Sequence, residues 1–273
     1  MSPRVAVVTV TFHSRADLDR HWRGAAAVDA AWIVVDNAST DGSAELAEEL
    51  GAHVVRLPDN VGFSAANNAG AAVAAAAGAD CLVFANPDVT VTQEGIDRLA
   101  ALALDRRALT APQLLNLDGS PQENGRRAPY LYRKVLHFAG SAASLAHYEV
   151  TADPHEVKDV PWVIGAAVAV PCTVFDEIGG WDAGFFVYYE DSDLCLRARR
   201  AGHPVLLDGG VRWTHAWARA TRRTRSWRVW RIELRSALRF YRRYWRLLGH
   251  PALPGPRSRG GRHDVVTSAR TPA

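Results

Sequence analysis

Up to Asp88 the chain alternates between two hydrophobic patterns. Val5–Phe12, Trp32–Asp36, His53–Leu57 and Cys81–Ala85 are short, largely apolar runs rich in β-branched residues. Runs of this kind fit strands buried on both faces of a sheet. Between them, Asp17–Val28, the stretch from the Asn37–Ser43 turn cluster through Leu50, and Gly62–Ala77 fit helices. Strand and helix in that rhythm predict βαβ units, hence an α/β fold with a mostly parallel central sheet and flanking helices.

The rhythm continues with a helix from Thr92 to about Leu104 and a strand near Leu109–Leu115, closed by a turn at Asn116–Pro121. Gln122–Asp159 shows no strong period. Val160–Pro171 reads as a strand pair or bend around Gly165, and Thr173–Ile178 as a short helix closed by Gly179-Gly180. The aromatic stretch Trp181–Tyr189 turns into Glu190-Asp191-Ser192-Asp193, which opens a helix over Leu194–Ala201; strands follow at Pro204–Leu207 and Val211–His215. From Trp227 on, Trp230, Leu234, Leu238, Tyr241, Trp245 and Leu248 recur at spacings of three and four, with arginines between them. This predicts a C-terminal amphipathic helix. Two readings of it stay open: packing on the catalytic body, or docking on an anionic lipid surface. Residues 251–273, rich in Pro, Gly, Ser and Arg, read as a disordered tail.

Composition adds one asymmetry. The net charge of the 273 residues is +3. From Arg219 to the end there are 15 arginines against Glu233 and Asp264, so the tail is strongly basic and the preceding body acidic. Such a tail points to an anionic partner, membrane or nucleic acid. No nucleic-acid module accompanies the charge, which disfavours the second. Cys81, Cys172 and Cys195 are far apart and set in apolar segments, without zinc spacing, as expected for reduced thiols in a cytoplasmic setting. Neither a signal peptide nor a spanning helix is visible.

The candidate chemistry lies at strand ends. Asn86-Pro87-Asp88 follows the fourth strand, where ligands of open α/β sheets bind. An acid there suits a divalent cation bridging to a diphosphate; a plain Pro-Asp turn is the other reading. Asp36 ends the second strand, placed for a ribose or simply for an Asx turn. No GxGxxG follows the first strand, which disfavours a dinucleotide dehydrogenase. Glu190 and Asp191 stand at a helix start among aromatic residues, as a general base or as capping acids. His215 ends a strand, as a ligand or as a structural residue.

VVTVTFHS, VVDNASTDGS, NVGFSAANNAG, FANPD, GGWDAGFFVYYEDSDLCLRARRAG and the later His215 together resemble the inverting family 2 glycosyltransferases of GT-A fold, in their rhamnosyltransferase-like branch. The resemblance implies a GT-A domain over residues 1–218, with a nucleotide-sugar half to about 115 and an acceptor half over 116–218, followed by a basic helical extension over 219–250. By the same resemblance, Thr11, Asp36, Asn37, Ser39 and Asp41 hold the base and ribose, and Asn60, Gly62, Phe63 and Asn67 shape the nucleotide and diphosphate side. Asp88 and His215 hold Mg²⁺ or Mn²⁺, with Asn86 where a strict DxD site has its first acid. Asp191 is the catalytic base with Glu190 beside it, and Trp181 and Asp182 line the acceptor or donor sugar. The implied reaction moves a sugar, foremost rhamnose from dTDP-rhamnose, to a saccharide or polyprenyl-diphosphate-linked acceptor in cell-envelope polysaccharide synthesis, at the inner face of the plasma membrane. A UDP-hexose or galactofuranose donor, a secondary-metabolite acceptor, and a non-catalytic nucleotide-sugar-binding protein remain the alternatives. A homodimer is compatible with each.

Overall fold

The computed structural model describes residues 3–24, 29–131, 148–216 and 227–248. The expected disordered tail and the start of the basic extension, 219–226, lie outside them.

Strands β1 (Val5–Thr11), β2 (Ala31–Asp36), β3 (His53–Arg56) and β4 (Cys81–Ala85) pair in parallel in the order β3-β2-β1-β4. Their side chains alternate between two cores, as the pleat requires. Ala6, Val8, Ile33, Val35, Leu82 and Phe84 face one layer of helices, whereas Val7, Val34, Cys81 and Val83 face the other. Helix α1 (Arg15–His21) is shorter than expected: it ends at Trp22, whose indole stacks on Trp32 with ring centres 4.6 Å apart. Helices α2 (Ser43–Glu49), α3 (Phe63–Ala76) and α4 (Gln93–Arg106) match the predicted segments. The small residues of α3 have a packing cause, since a Cβ on Gly70 would lie 2.4 Å from Val8 Cγ1.

The rest of the nine-stranded sheet is mixed. Beyond β4 come β11 (Ala167–Pro171), β6 (Leu109–Leu115), β12 (Val205–His215) and the two-residue β5 (Val89–Thr90), with β9 (Val157–Asp159) also on β12. β11 runs antiparallel between β4 and β6, while β6 and β12 are parallel. β12 corrects the two-strand reading: Pro204–Leu207 and Val211–His215 are parts of one strand, with a register shift between Asp208 and Arg212. Gly209 permits it, because a Cβ there would collide with the Asp153 carbonyl. A small three-stranded sheet joins β10 (Trp162–Val163), from the stretch read as a strand pair or bend, to β7 (Gly125–Arg126) and β8 (Glu149–Val150), from the stretch where the sequence shows no period. Helices α5 (Cys172–Glu177) and α6 (Glu190–Arg200) complete the body; α6 starts at Glu190 rather than Leu194. Helix α7 (Trp227–Arg243) and a 3₁₀ turn at Trp245–Leu248 form the C-terminal element.

Candidate active site

The turn after β4 is fixed from three sides. Trp22 Nε1 donates to the Pro87 carbonyl at 3.0 Å, Asn86 N–H donates to Ala166 O at 2.8 Å, and Ala216 N–H donates to Asp88 O at 2.9 Å. Val89 pairs with His215 across β5 and β12. Asp88 and His215, far apart in sequence, therefore meet: Asp88 Oδ2 lies 3.4 Å from His215 Nε2. Gln122, from the unreadable stretch, sets the imidazole. Its amide NH₂ is turned to Asn116 Oδ1 (3.0 Å) and the His215 carbonyl (3.4 Å), both acceptors. That leaves Gln122 Oε1 facing His215 Nδ1 at 2.6 Å and puts a proton on Nδ1. Nε2 is thereby aimed at the carboxylate, the arrangement of an amide-backed imidazole ligand. One carboxylate and one imidazole nitrogen fit a divalent cation whose remaining ligands come from phosphate and water. Among the described residues no three His, Cys, Asp or Glu side chains converge as a closed metal cage. Asp17 and His21 of α1, which the sequence did not single out, flank this turn. Burial and then the charge of Asp88 push the Asp17 carboxyl up, and burial holds His21 below its ordinary range.

The loops after β1 and β2 are knitted together. Thr11 Oγ1 donates to Asp36 Oδ1 at 2.9 Å, Ser39 N–H to Asp36 Oδ2 at 3.0 Å, and His13 N–H to Ser39 Oγ at 3.0 Å. His13 and Ala38 both hold positive φ here. Asp36, only 4% exposed, thus braces the cradle. Asp41 lies just before α2: burial raises its carboxyl, but bonds from the Ser43 hydroxyl and the Arg15 and Ser43 N–H groups outweigh this, and its pKa lies below the usual range. Asn37 Nδ2 donates to Asn60 Oδ1 at 3.0 Å, and Asn60 Oδ1 also accepts Gly62 N–H. Asn67 is turned back into α3, donating to Phe63 O at 3.0 Å. Its neighbour Asn68 makes the longer connection, with Nδ2 donating to Trp181 O at 2.7 Å and Oδ1 accepting Trp181 N–H at 2.9 Å.

The opposite wall is α6 and the loop before it. Tyr188 and Tyr189 both have φ +71°, a costly conformation for aromatic residues that persists only where its surroundings impose it. It delivers Glu190 and Asp191 to the first turn of α6. Glu190 is buried. Asp191 Oδ1 accepts Ser192 N–H at 2.6 Å, and Oδ2 accepts Gly165 N–H at 3.3 Å. A small cleft lined by Val163, Gly165, Trp181, Asp191 and Leu194 lies alongside. Phe63 meets the Trp181 ring edge-on with centres 5.5 Å apart, and its N–H donates to Phe186 O at 2.7 Å. Gly62 is required there twice over: its φ is +88°, and a Cβ would lie 2.6 Å from Phe186 O. Asp182 faces the C-terminal helix instead, bonded to Arg239 at 2.9 Å and Arg243 at 2.6 Å.

The two walls join at one step of backbone. Gly165 N–H holds Asp191, and the Ala166 carbonyl holds Asn86 N–H, two residues from Asp88. Asp191 of α6 and the turn after β4 are thus each tied to the same short segment, Gly165-Ala166. Burial disfavours the thiolate of Cys195, pushing its pKa up to about 12. Burial does the same to Cys81, to about 12, and Cys172, to about 11.

Residues 6–151 match the model of the family described as Glycosyl transferase family 2. An N-acetylglucosaminyl-diphospho-decaprenol L-rhamnosyltransferase of Mycobacterium tuberculosis is 30% identical over 223 residues, covering 74% of this chain and 72% of its own. The chain belongs to glycosyl transferase family 2. Its similarity lies with the rhamnosyltransferase-like branch. A further relative of this glycosyltransferase is the Haloferax volcanii low-salt glycan biosynthesis hexosyltransferase Agl10, 26% identical over 199 residues, covering 72% of this chain and 62% of that protein. Solved structures share its GT-A fold. The Pyrobaculum calidifontis mannosyltransferase PcManGT, in complex with GDP-Man and Mn²⁺, aligns with TM-score 0.59 at 18% identity, over 93% of this chain and 67% of its own. GalNAc-T7, with UDP, GalNAc and Mn²⁺, aligns with TM-score 0.55 at 18% identity; it covers 79% of this chain, which spans 44% of that protein.

Proposed function

We propose that this glycosyltransferase transfers L-rhamnose from dTDP-rhamnose, with inversion, to a hydroxyl of a saccharide on a lipid diphosphate in cell-envelope polysaccharide synthesis. The activity by which the mycobacterial relative is named supports the rhamnosyl group and the lipid-diphosphate acceptor. The observation that supports the chemistry is that Asp191 and the Asn86–Asp88 turn are held by neighbouring residues of one segment, Gly165 and Ala166.

In this reading Thr11, Asp36, Asn37, Ser39 and Asp41 shape the base and ribose pocket, and Asn60, Gly62 and Phe63 its diphosphate side. Asp88 and His215 hold Mg²⁺ or Mn²⁺; when bound, such a cation neutralises charge on the departing diphosphate. Asp191 accepts the proton of the acceptor hydroxyl as its oxygen attacks the anomeric carbon from the face opposite the leaving group. The bond between that carbon and the phosphate oxygen breaks, and its electron pair leaves with the nucleoside diphosphate. The N–H groups of Gly165 and Ser192 hold the Asp191 carboxylate in one orientation. Trp181 forms an apolar wall that limits water.

Asp191→Asn tests the assignment. Transfer falls by about 10²–10⁴-fold, while dTDP binding by calorimetry stays at the parental level. Parental turnover by this variant removes Asp191 as the base. Donor screening with dTDP-rhamnose and UDP-sugars, with and without Mn²⁺, tests the sugar and the metal; transfer only from a UDP-hexose overturns the rhamnose assignment.

A further inference from the structure

Helix α7 meets the body with one face only. Ser236, Phe240, Tyr241, Tyr244 and, in the following turn, Leu247 are buried there against Ala128, Tyr130, Phe185, Tyr189 and Leu196. Ser236 Oγ donates to Val187 O at 2.9 Å, and Tyr244 OH donates to Asp193 Oδ1 at 2.8 Å. The apolar residues seen in the sequence thus divide into two stripes, since only Tyr241 of them is on this inner face. Trp227, Trp230, Leu234, Leu238, Trp245 and Leu248 lie on the neighbouring flank, between 49% and 77% exposed. Six of the eleven exposed large apolar side chains among the described residues are in this one element. A row so concentrated marks an interaction surface rather than scattered exposure.

Charge identifies the occupant. Next to the stripe, Arg231, Arg235, Arg242 and Arg246 are exposed and form no ion pair with a described residue, whereas Arg239 and Arg243 are tied to Asp182. Tryptophan and leucine bordered by arginine suit the boundary between acyl chains and anionic headgroups. A second copy suits it poorly, because a two-fold contact would set each arginine row beside its own image.

We propose that this outer flank of α7 seats the enzyme on an anionic bilayer surface, with the inner flank of the same helix holding the base-bearing loop at a fixed height above it. A helix is about 10 Å across, so Val187, Tyr189 and Asp193 stand within roughly one helix diameter of the lipid. Headgroup phosphates lie at the level of the arginines, which is where the diphosphate of a lipid-linked acceptor resides. Seating of this kind serves the lipid-linked acceptor proposed above and rests on that reading for its purpose. Vesicle binding needs neither donor nor acceptor, so the two fail separately.

The test is sedimentation of the full chain with phosphatidylcholine vesicles, with and without phosphatidylglycerol. The parent pellets with the anionic vesicles and is released by salt. Leu234→Gln/Leu238→Gln/Trp245→Gln weakens partitioning by at least about tenfold with an unchanged melting temperature, because these side chains are exposed. Arg231→Gln/Arg235→Gln/Arg242→Gln removes the preference for anionic lipid. Absence of parental binding, or parental binding by both variants, overturns the assignment. So does sedimentation equilibrium showing a parental dimer that the Leu/Trp variant dissolves, which gives the stripe to a second copy.

Discussion

Gln122 holds His215 by the ring nitrogen that does not face Asp88. Its removal leaves both proposed ligands in place while freeing one to rotate. Gln122→Leu is expected to weaken Mn²⁺ binding in the presence of dTDP by about 10–100-fold, with metal-free dTDP binding unchanged, as read by calorimetry. Gly62→Ala acts on the donor side. The positive φ and the contact with Phe186 O are expected to lower stability by about 1–3 kcal/mol, measured by denaturant unfolding, and to reduce turnover by shifting the Phe63–Phe186 link. At this scale the sequence named most residue types but not all their partners. It singled out Asn67, which bonds within its own helix, while the adjacent Asn68 clasps the Trp181 backbone. Nothing local separates two neighbouring asparagines; only the position of Trp181 across the cleft does. Gln122 was illegible for the same reason, since its meaning depends on His215 arriving beside it.

Among elements, the joint between α6 and α7 is ionic where it leaves the aromatic core. Burial raises the Asp182 carboxyl, but the Gly184 N–H and the Arg239 and Arg243 guanidinium groups outweigh it, and its pKa lies below the usual range. A carboxylate depressed on folding stabilises the native state above its unfolded pKa, and that contribution is lost as pH falls through the lower native value. Asp182→Asn is therefore expected to lower stability by about 1 kcal/mol at neutral pH. The gap between variant and parent closes on acidification below pH 3.8, the ordinary value, as thermal melts across pH check. A gap that persists there assigns the loss to packing. The elements themselves were legible where one physical rule dominated. β1, β2 and β4 are apolar because both faces are covered, and α3 is small-chained because it lies close on β1 and β2. β12 was read as two strands because Asp208-Gly209-Gly210 looks like a turn, although the Arg98–Asp208 pair and the Asp153 carbonyl fit around it instead. β7 and β8 are two-residue pairings, too short to leave a period.

For the whole molecule, α7 is part of the body as well as its edge. With the turn that follows it, the helix contributes Phe240, Tyr241, Tyr244 and Leu247 to the core that also holds Tyr189. Ending the chain before Trp227 is expected to lower the melting temperature and reduce turnover at least about tenfold, while dTDP binding at the far loops survives. Equal turnover with the shortened chain removes α7 as a support of the base. The basic extension and the acidic body were visible as composition, whereas the division of α7 into inner and outer stripes required the fold.

In the reading proposed above, the Gly165-Ala166 segment bears on how such an enzyme changes its sugar. There, the Gly165 N–H holds the proposed proton-accepting acid and the Ala166 carbonyl holds the strand tip proposed to face the diphosphate. That tie works as a gauge block, because the segment contributes to it with backbone groups rather than with its own side chains. A new donor or acceptor can be accommodated by rebuilding the surrounding walls, and the spacing at which bonds are exchanged stays the same.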